Sequence, residues 1–213
     1  MHVSICGCCG VYFVDINNFE FVVIFQNKYR VEKNISMNHF YFIRHGETVW
    51  NVENKICGAT DIELTQRGHE QAIETGKKIL EQGITADVIL TSPLVRAKET
   101  ARHISEITGI PMEIEPRLVE QNFGRYESTP RDGAEFHEAK KDMASRFGTG
   151  ESMLHLAQRI YNLIDDIKAG DREVILVAHN GIARMVESYF REMDNEEFSS
   201  CGIKNCEIKK YNF

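Results

Sequence analysis

His39-Phe40-Tyr41-Phe42-Ile43-Arg44-His45-Gly46-Glu47-Thr48 (HFYFIRHGET, residues 39–48) is the stretch whose reading decides the fold. Its apolar run is too short for an ordinary helix and is rich in aromatic and β-branched residues, so His39 to Arg44 reads as a buried strand. The strand ends in an arginine and a histidine. In open α/β sheets ligands bind beyond the carboxyl ends of the strands, so this edge is where chemistry is expected.

Working outward, the same unit recurs. Thr65 to Glu81 reads as a helix capped by Thr65, with Ala72, Ile73, Gly76, Ile79 and Leu80 on one face. Asp87 to Thr91 is a short apolar strand. Ser92 then reads as an N-cap and Pro93 as the first residue of a helix that runs to about Thr108 and stops at Gly109. Met112 to Glu115 reads as a strand. Gly124 to Gly150 is polar and turn-rich, with helical character around Ala134 to Arg146. A long helix from about Ser152 to Lys168 carries Leu156, Ile160, Leu163 and Ile167 at helical spacing. Glu173 to Ala178 (EVILVA) is a buried strand, the chain is helical again from Gly181, and an edge strand is expected near Cys206 to Tyr211. Such alternation implies an α/β domain: a three-layer α/β/α sandwich with a mainly parallel central sheet and a short polar insert over the active site.

The first 36 residues differ. They hold three of the six cysteines. Val11 to Ile16 and Phe19 to Phe25 could pair as a hairpin around Asn17-Asn18, or the segment is an extension with no role in the core. The division expected is 1–36 as an N-terminal extension and 37–213 as the catalytic domain. Cys6-Gly7-Cys8-Cys9 lacks the partners that would complete a four-ligand zinc set, so free thiols and a reducing cytoplasm are the expectation. A net charge of -7 from 25 basic and 32 acidic residues argues against a nucleic-acid partner but not against an anionic substrate, since a few arginines can set the field of a cleft. No apolar run approaches the roughly 18 residues that would span a bilayer, and no signal peptide is expected.

The strand ends place Arg44, His45, Arg96, His179 and, after the third strand, Glu120 along one rim. Two guanidiniums can grip a phosphoryl group. A neutral imidazole can attack phosphorus, a second can offset charge on an equatorial oxygen, and a carboxyl group can protonate the leaving oxygen. His69, His103, His137 and His155 read as solvated or partly packed side chains. Lys140-Lys141 reads as a solvated helix face able to attract an anion.

Arg44-His45-Gly46-Glu47-Thr48 with Trp50-Asn51 resembles the RHGETxWN signature of the histidine phosphatase superfamily, in its phosphoglycerate mutase-like branch. Further matches follow in the family's order: Cys57-Gly58-Ala59-Thr60-Asp61, Leu64-Thr65, Ser92-Pro93-Leu94 with Arg96-Ala97, Leu118-Val119-Glu120, Gly150-Glu151-Ser152 and Val177-Ala178-His179-Asn180-Gly181. The resemblance covers 37–213. It implies that His45 becomes phosphorylated, that Arg44, Arg96 and His179 hold the phosphate, and that Glu120 is the acid–base residue. It further implies that Asn51, Cys57, Gly58 and Asn180 line the site, with no metal and no cofactor. The acid phosphatase branch has an aspartate where this chain has Asn180. Two departures concern the rim: Asn180 stands where a glycine is common, and Ser128 follows Glu127 where many phosphatases have glycine.

The implied activity is hydrolysis of a small phosphorylated metabolite through a phosphohistidine. The alternatives are a phosphoglycerate mutase, disfavoured by the shortness of Arg125 to Gly150 as a lid, and a non-catalytic phosphate-binding module, disfavoured because no reacting group is missing. Specificity is expected from Trp50, Phe123, Arg125, Tyr126 and the 128–150 segment. Substrate identity and oligomeric state are left open.

Overall fold

The computed structural model describes residues 39–213 in full and, before them, the backbone of 2–6, 11–16 and 19–24. The chain divides into two compact units, Met1–Asn34 and Ile35–Phe213. In the first, strands β1 (His2–Cys6), β2 (Val11–Ile16) and β3 (Phe19–Ile24) form an antiparallel sheet in that order, with Ile16 opposite Phe19. The expected turn at Asn17-Asn18 and the cysteines Cys8 and Cys9 lie outside the described residues.

The second unit carries a five-stranded sheet built from β4 (His39–Arg44), β5 (Val88–Thr91), β6 (Met112–Ile114), β7 (Val174–Ala178) and β8 (Ile208–Asn212), in the order β6-β5-β7-β4-β8. All neighbours are parallel except β8, which pairs antiparallel with β4 at the edge. The helices are α1 (Val49–Val52), α2 (Gln66–Glu81), α3 (Val95–Thr108), α4 (Ala134–Ala139), α5 (Met153–Ala169), α6 (Asn180–Phe190) and α7 (Asn195–Ser200).

Successive side chains of a strand point to opposite faces, and both faces here are apolar because both are covered. Phe40, Phe42, Leu176 and Ala178 pack against Leu156, Ile160, Leu163 and Ile167 of α5 and Ile182 and Val186 of α6. Ile43, Ile175 and Val177 pack against Ile79 of α2 and Ala97, Ala101 and Ile104 of α3. The result is the three-layer α/β/α arrangement. Tyr126, Phe136 and Phe147 of the polar insert form a third cluster with Ile56 and Phe123. No helix among the described residues is long and apolar enough to cross a membrane.

Three local expectations are corrected. Leu80 is 54 % exposed, and the buried stripe of α2 is Gly68, Ala72, Thr75, Gly76 and Ile79. At about 100° per residue, position 80 lies about 80° round the helix from Ala72, off the stripe. The helix after β5 begins at Val95 with Leu94 as its cap, not at Ser92-Pro93. Asp61 supplies the missing side-chain cap by accepting from the Val95 N–H at 2.7 Å, while the Ser92 hydroxyl pairs with His179 at 2.7 Å. Finally, the helical stretch in the insert is one short helix ending at Ala139, followed by turns.

Leu176→Ala should cost about 2–5 kcal/mol, because transfer energy is lost and a cavity is left behind. Leu80→Ala should stay within about 0.5 kcal/mol. Urea unfolding of the two variants compares them directly.

Candidate active site

The parallel ladder continues past the strand ends and fixes the rim. The His45 N–H donates to Ala178 O at 2.9 Å, and the Ser92 N–H donates to Val177 O at 3.1 Å. His45 and His179 are thereby brought together, with ring centroids 5.1 Å apart. The turn after β4 is held from below by close backbone approach. A Cβ at Gly46 would fall 2.4 Å from Gly68 O, and one at Gly68 would fall 2.2 Å from Glu47 O. The Gly46 N–H donates to the Thr100 hydroxyl at 3.0 Å.

His45 Nδ1 lies 2.7 Å from Gly46 O. A carbonyl only accepts, so Nδ1 carries the proton and Nε2 keeps its lone pair. Burial, Arg96 and Arg44 together hold this imidazole well below its ordinary 6.5, and burial, Arg96 and His45 do the same to His179. Both rings are therefore neutral at pH 7.

Arg96 is wholly buried and donates to Thr60 O at 2.8 Å and Gly58 O at 2.7 Å. Arg44 donates to Ile203 O at 2.8 Å. Each guanidinium keeps its Nε without an acceptor among the described residues. The Ser92 hydroxyl already accepts from Leu94 N–H, so its own proton goes to His179 Nε2, and the neutral ring carries its hydrogen on Nδ1, which likewise has no partner. Buried donors are nearly always paired, so three unpaired ones around a neutral imidazole mark a place for an anion.

Glu120 is buried and its carboxylate is fixed from both sides, Gln121 N–H donating to Oε1 and Gly181 N–H to Oε2, each at 2.9 Å. Gly181 permits this approach, since a Cβ there would stand 2.5 Å from Oε1. Asn51 Oδ1 accepts from Thr48 N and from Asn205 Nδ2, which leaves its own Nδ2 protons free to donate. The Asn180 side chain accepts from Ile203 N at 3.0 Å.

The expected site residues thus assemble. Arg44, His45, Asn51, Cys57, Glu120 and Asn180 line one cavity of about 110 Å³. Arg96 and His179 lie buried without lining it, and Gly58 serves through its carbonyl on Arg96.

A model of the histidine phosphatase superfamily (branch 1) matches residues 40–213. The chain belongs to that superfamily. A protein of Yersinia pestis named "Probable phosphoglycerate mutase GpmB" is 31% identical over 187 residues, covering 83% of this chain and 86% of its own. A mycobacterial glucosyl-3-phosphoglycerate phosphatase solved with VO3 superposes with a TM-score of 0.70 at 25% identity, over 81% of this chain and 90% of that one. The phosphoserine phosphatase of Entamoeba histolytica, solved with 3-phosphoglyceric acid, gives a TM-score of 0.70 at 27% identity, over 82% and 90%. The chain is accordingly a histidine phosphatase-type phosphoryl-transfer enzyme.

Several residues of this histidine phosphatase site were not legible in the sequence. Arg131, Lys140 and Arg184 line the cavity, so Lys140 is not a solvated side chain; Lys141 is exposed and paired with Glu138. Burial, Arg184 and Arg131 lower Lys140 to about 8. Of the residues expected to set specificity, Phe123 lines the cavity, Tyr126 is packed in the insert's core, and Arg125 lies over the Tyr126 ring; Trp50 is not among the lining residues. Asn205 Nδ2 donates to His45 O at 2.8 Å across 160 residues of sequence, a contact no local pattern announces. Glu127 accepts from Gly58 N, Ala59 N, the Thr60 hydroxyl and Phe123 N, and so shapes the loop that holds Arg96. Ser128 has φ +67°, which explains a glycine preference there. The Cys57 thiol is raised to about 11 by burial, which keeps it protonated and poorly reactive despite its place on the wall.

The two lowered imidazoles predict acid sensitivity. The unfolded chain, with histidines near 6.5, takes up protons before the folded one does. Stability is therefore complete above about pH 6.5 and is lost as pH falls below it. The urea midpoint should drop between pH 7 and 5.5, and the drop should be smaller in a His45→Asn/His179→Asn double variant.

Proposed function

We propose that the chain is a metal-independent phosphomonoesterase working through phosphohistidine at His45, with residues 37–213 as its catalytic domain and 1–36 as an extension. The observation that carries this reading is the neutral, Nδ1-protonated His45 ringed by the unpaired donors of Arg44, Arg96 and His179. Arg44, Arg96, His179 and Asn51 hold the phosphoryl oxygens. The His45 Nε2 lone pair forms the N–P bond as the ester P–O bond breaks, and protonated Glu120 gives its proton to the leaving oxygen. Gly46 O, accepting from Nδ1, offsets the positive charge that the phosphorylated ring acquires. In the second half Glu120 takes a proton from water, water oxygen attacks phosphorus, the N–P bond breaks, and phosphate leaves with His45 neutral again. The guanidiniums and the second imidazole meet the charge on the oxygens, so the cycle calls on no metal ion.

The substrate is a phosphomonoester bearing a second anionic group. Arg131, Lys140 and Arg184 share the cavity with Arg44, and Glu120 is the carboxylate among the lining residues. That cationic surplus exceeds what one phosphate needs. Phe123, Lys140, Gly181 and Arg184 also border an adjoining cleft of about 620 Å³ with Met143, Met153, Leu156 and Phe198, which gives room for the body of the substrate. A site opening this way shields a phosphoenzyme poorly from water, which favours hydrolysis over mutase chemistry.

Three measurements test this. His45→Ala should abolish phosphate release and acid-labile labelling by a phosphorylated substrate, with wild-type turnover surviving chelator; isomerisation of phosphoglycerate outpacing phosphate release would make the enzyme a mutase. Glu120→Gln should slow alkyl phosphates far more than activated aryl phosphates, by about 10²-fold or more. Lys140 is charged below about pH 8 and loses its charge above it. KM for carboxylated phosphoesters should therefore climb as pH passes 8, while KM for p-nitrophenyl phosphate stays flat and Lys140→Gln removes the difference.

A further inference from the structure

His69 on α2 and His103 on α3 meet where the two helices pack. His69 Nδ1 lies 2.9 Å from His103 Nε2, with the rings edge to face at 5.2 Å between centroids. Glu99 precedes His103 by four residues, so both stand on one face of α3. One ligand atom from each of the three lies within 4.8 Å of the other two, and all three side chains are half-buried. We propose that His69, Glu99 and His103 form a binding site for Zn2+ that staples α2 to α3 and takes no part in bond breaking.

The donor set suits the ion. Two imidazoles and a carboxylate, with water as fourth ligand, are ordinary zinc chemistry, and bonds of about 2.0–2.2 Å set tetrahedral ligands about 3.3 Å apart. A 2.9 Å contact needs little adjustment to reach that spacing. Proton accounting is also favourable. Arg102 Nη2 stands 3.5 Å from His103 Nε2, and a guanidinium only donates, so that nitrogen is a bare lone pair and His69 Nδ1 bears the proton between the rings. Zinc binding asks only that the His69 proton move to its own Nε2, with no net release.

The competing tie is Arg102, which donates to Glu99 from Nε at 3.0 Å and Nη2 at 2.8 Å. It also holds Glu106 at 2.6 Å from Nη1. Glu99 can therefore turn to the metal while Arg102 keeps a partner. The nearby guanidinium makes the affinity moderate, not extreme. The position carries a consequence as well. Glu99 adjoins Thr100 and His69 adjoins Gly68, and these two neighbours brace Gly46 in the His45 turn.

The test uses the full chain with Cys6, Cys8 and Cys9 changed to serine, so that thiols ahead of the domain do not bind the probe, after chelator treatment and desalting. Titration with ZnCl2 should saturate at one equivalent, and CoCl2 should give the visible bands of a tetrahedral centre. Hundredfold excess over Kd should raise Tm by about 5–10 °C. His69→Gln and His103→Gln should lose the bands and the Tm rise while hydrolysing p-nitrophenyl phosphate at the metal-free wild-type rate. Absence of saturable binding, or bands that survive both substitutions and vanish in His45→Ala, would overturn the site.

Discussion

A guanidinium with no solvent exposure must have its N–H groups matched or the fold loses several kcal/mol, and Arg96 sets that condition at the centre of this enzyme. Its two outer nitrogens are met by the carbonyls of Gly58 and Thr60. Those carbonyls point inward because Glu127 gathers the loop's N–H groups and the Thr60 hydroxyl on the other side. Glu127 in turn needs a sharp reversal after it, which the left-handed backbone of Ser128 supplies. Asp61, at the end of the same loop, caps the helix that carries Arg96. The buried charge thus organises a loop, an insert and a helix start, and its Nε is left without a protein partner.

The same charges govern the imidazoles. Arg96 and Arg44 lower His45 and His179, adding to the effect of burial. The cations that would grip a phosphoryl group therefore keep the neighbouring lone pair free of a proton. In the proposed reaction, binding and nucleophile activation come from one field. The cost is a centre with three buried donors that find no protein partner among the described residues. Functional sites commonly hold strain of this kind, compensated by a core as continuous as the one on both faces of this sheet.

Strands, layers and the candidate site residues were legible because each is written locally. Short apolar runs mark β4, β5 and β7, and polar residues at or just after their carboxyl ends land on the rim by topology. Arg44, His45 and His179 are of this kind, Arg96 sits in the first turn of the helix after β5, and Glu120 follows β6 after a short turn. What could not be read depends on contacts between distant segments. Ser92 looked like a helix cap because Ser-Pro is a good local start, yet His179 claims its hydroxyl and Asp61 takes over the cap. Lys140 reads with Lys141 as a solvated helix face, and the folding of the insert against Phe123 places it on the cavity wall. His69 and His103 are separated by 34 residues and meet only through helix packing.

The edge strand shows how such distant contacts reach the candidate site. β8 pairs with β4 from Ile43↔Ile208 to His39↔Asn212, in the opposite direction to the rest of the sheet. Because it runs backwards, the loop that feeds it arrives at the carboxyl end of β4, where the site is. There Cys206 N–H donates to Arg44 O, Ile203 O accepts from the Arg44 side chain, Ile203 N–H donates to Asn180, and Asn205 donates to His45 O. A parallel edge strand would deliver its preceding loop to the other end of the sheet and leave Arg44 with one acceptor fewer. The single antiparallel pairing is what lets the far end of the sequence hold the guanidinium and the imidazole in place.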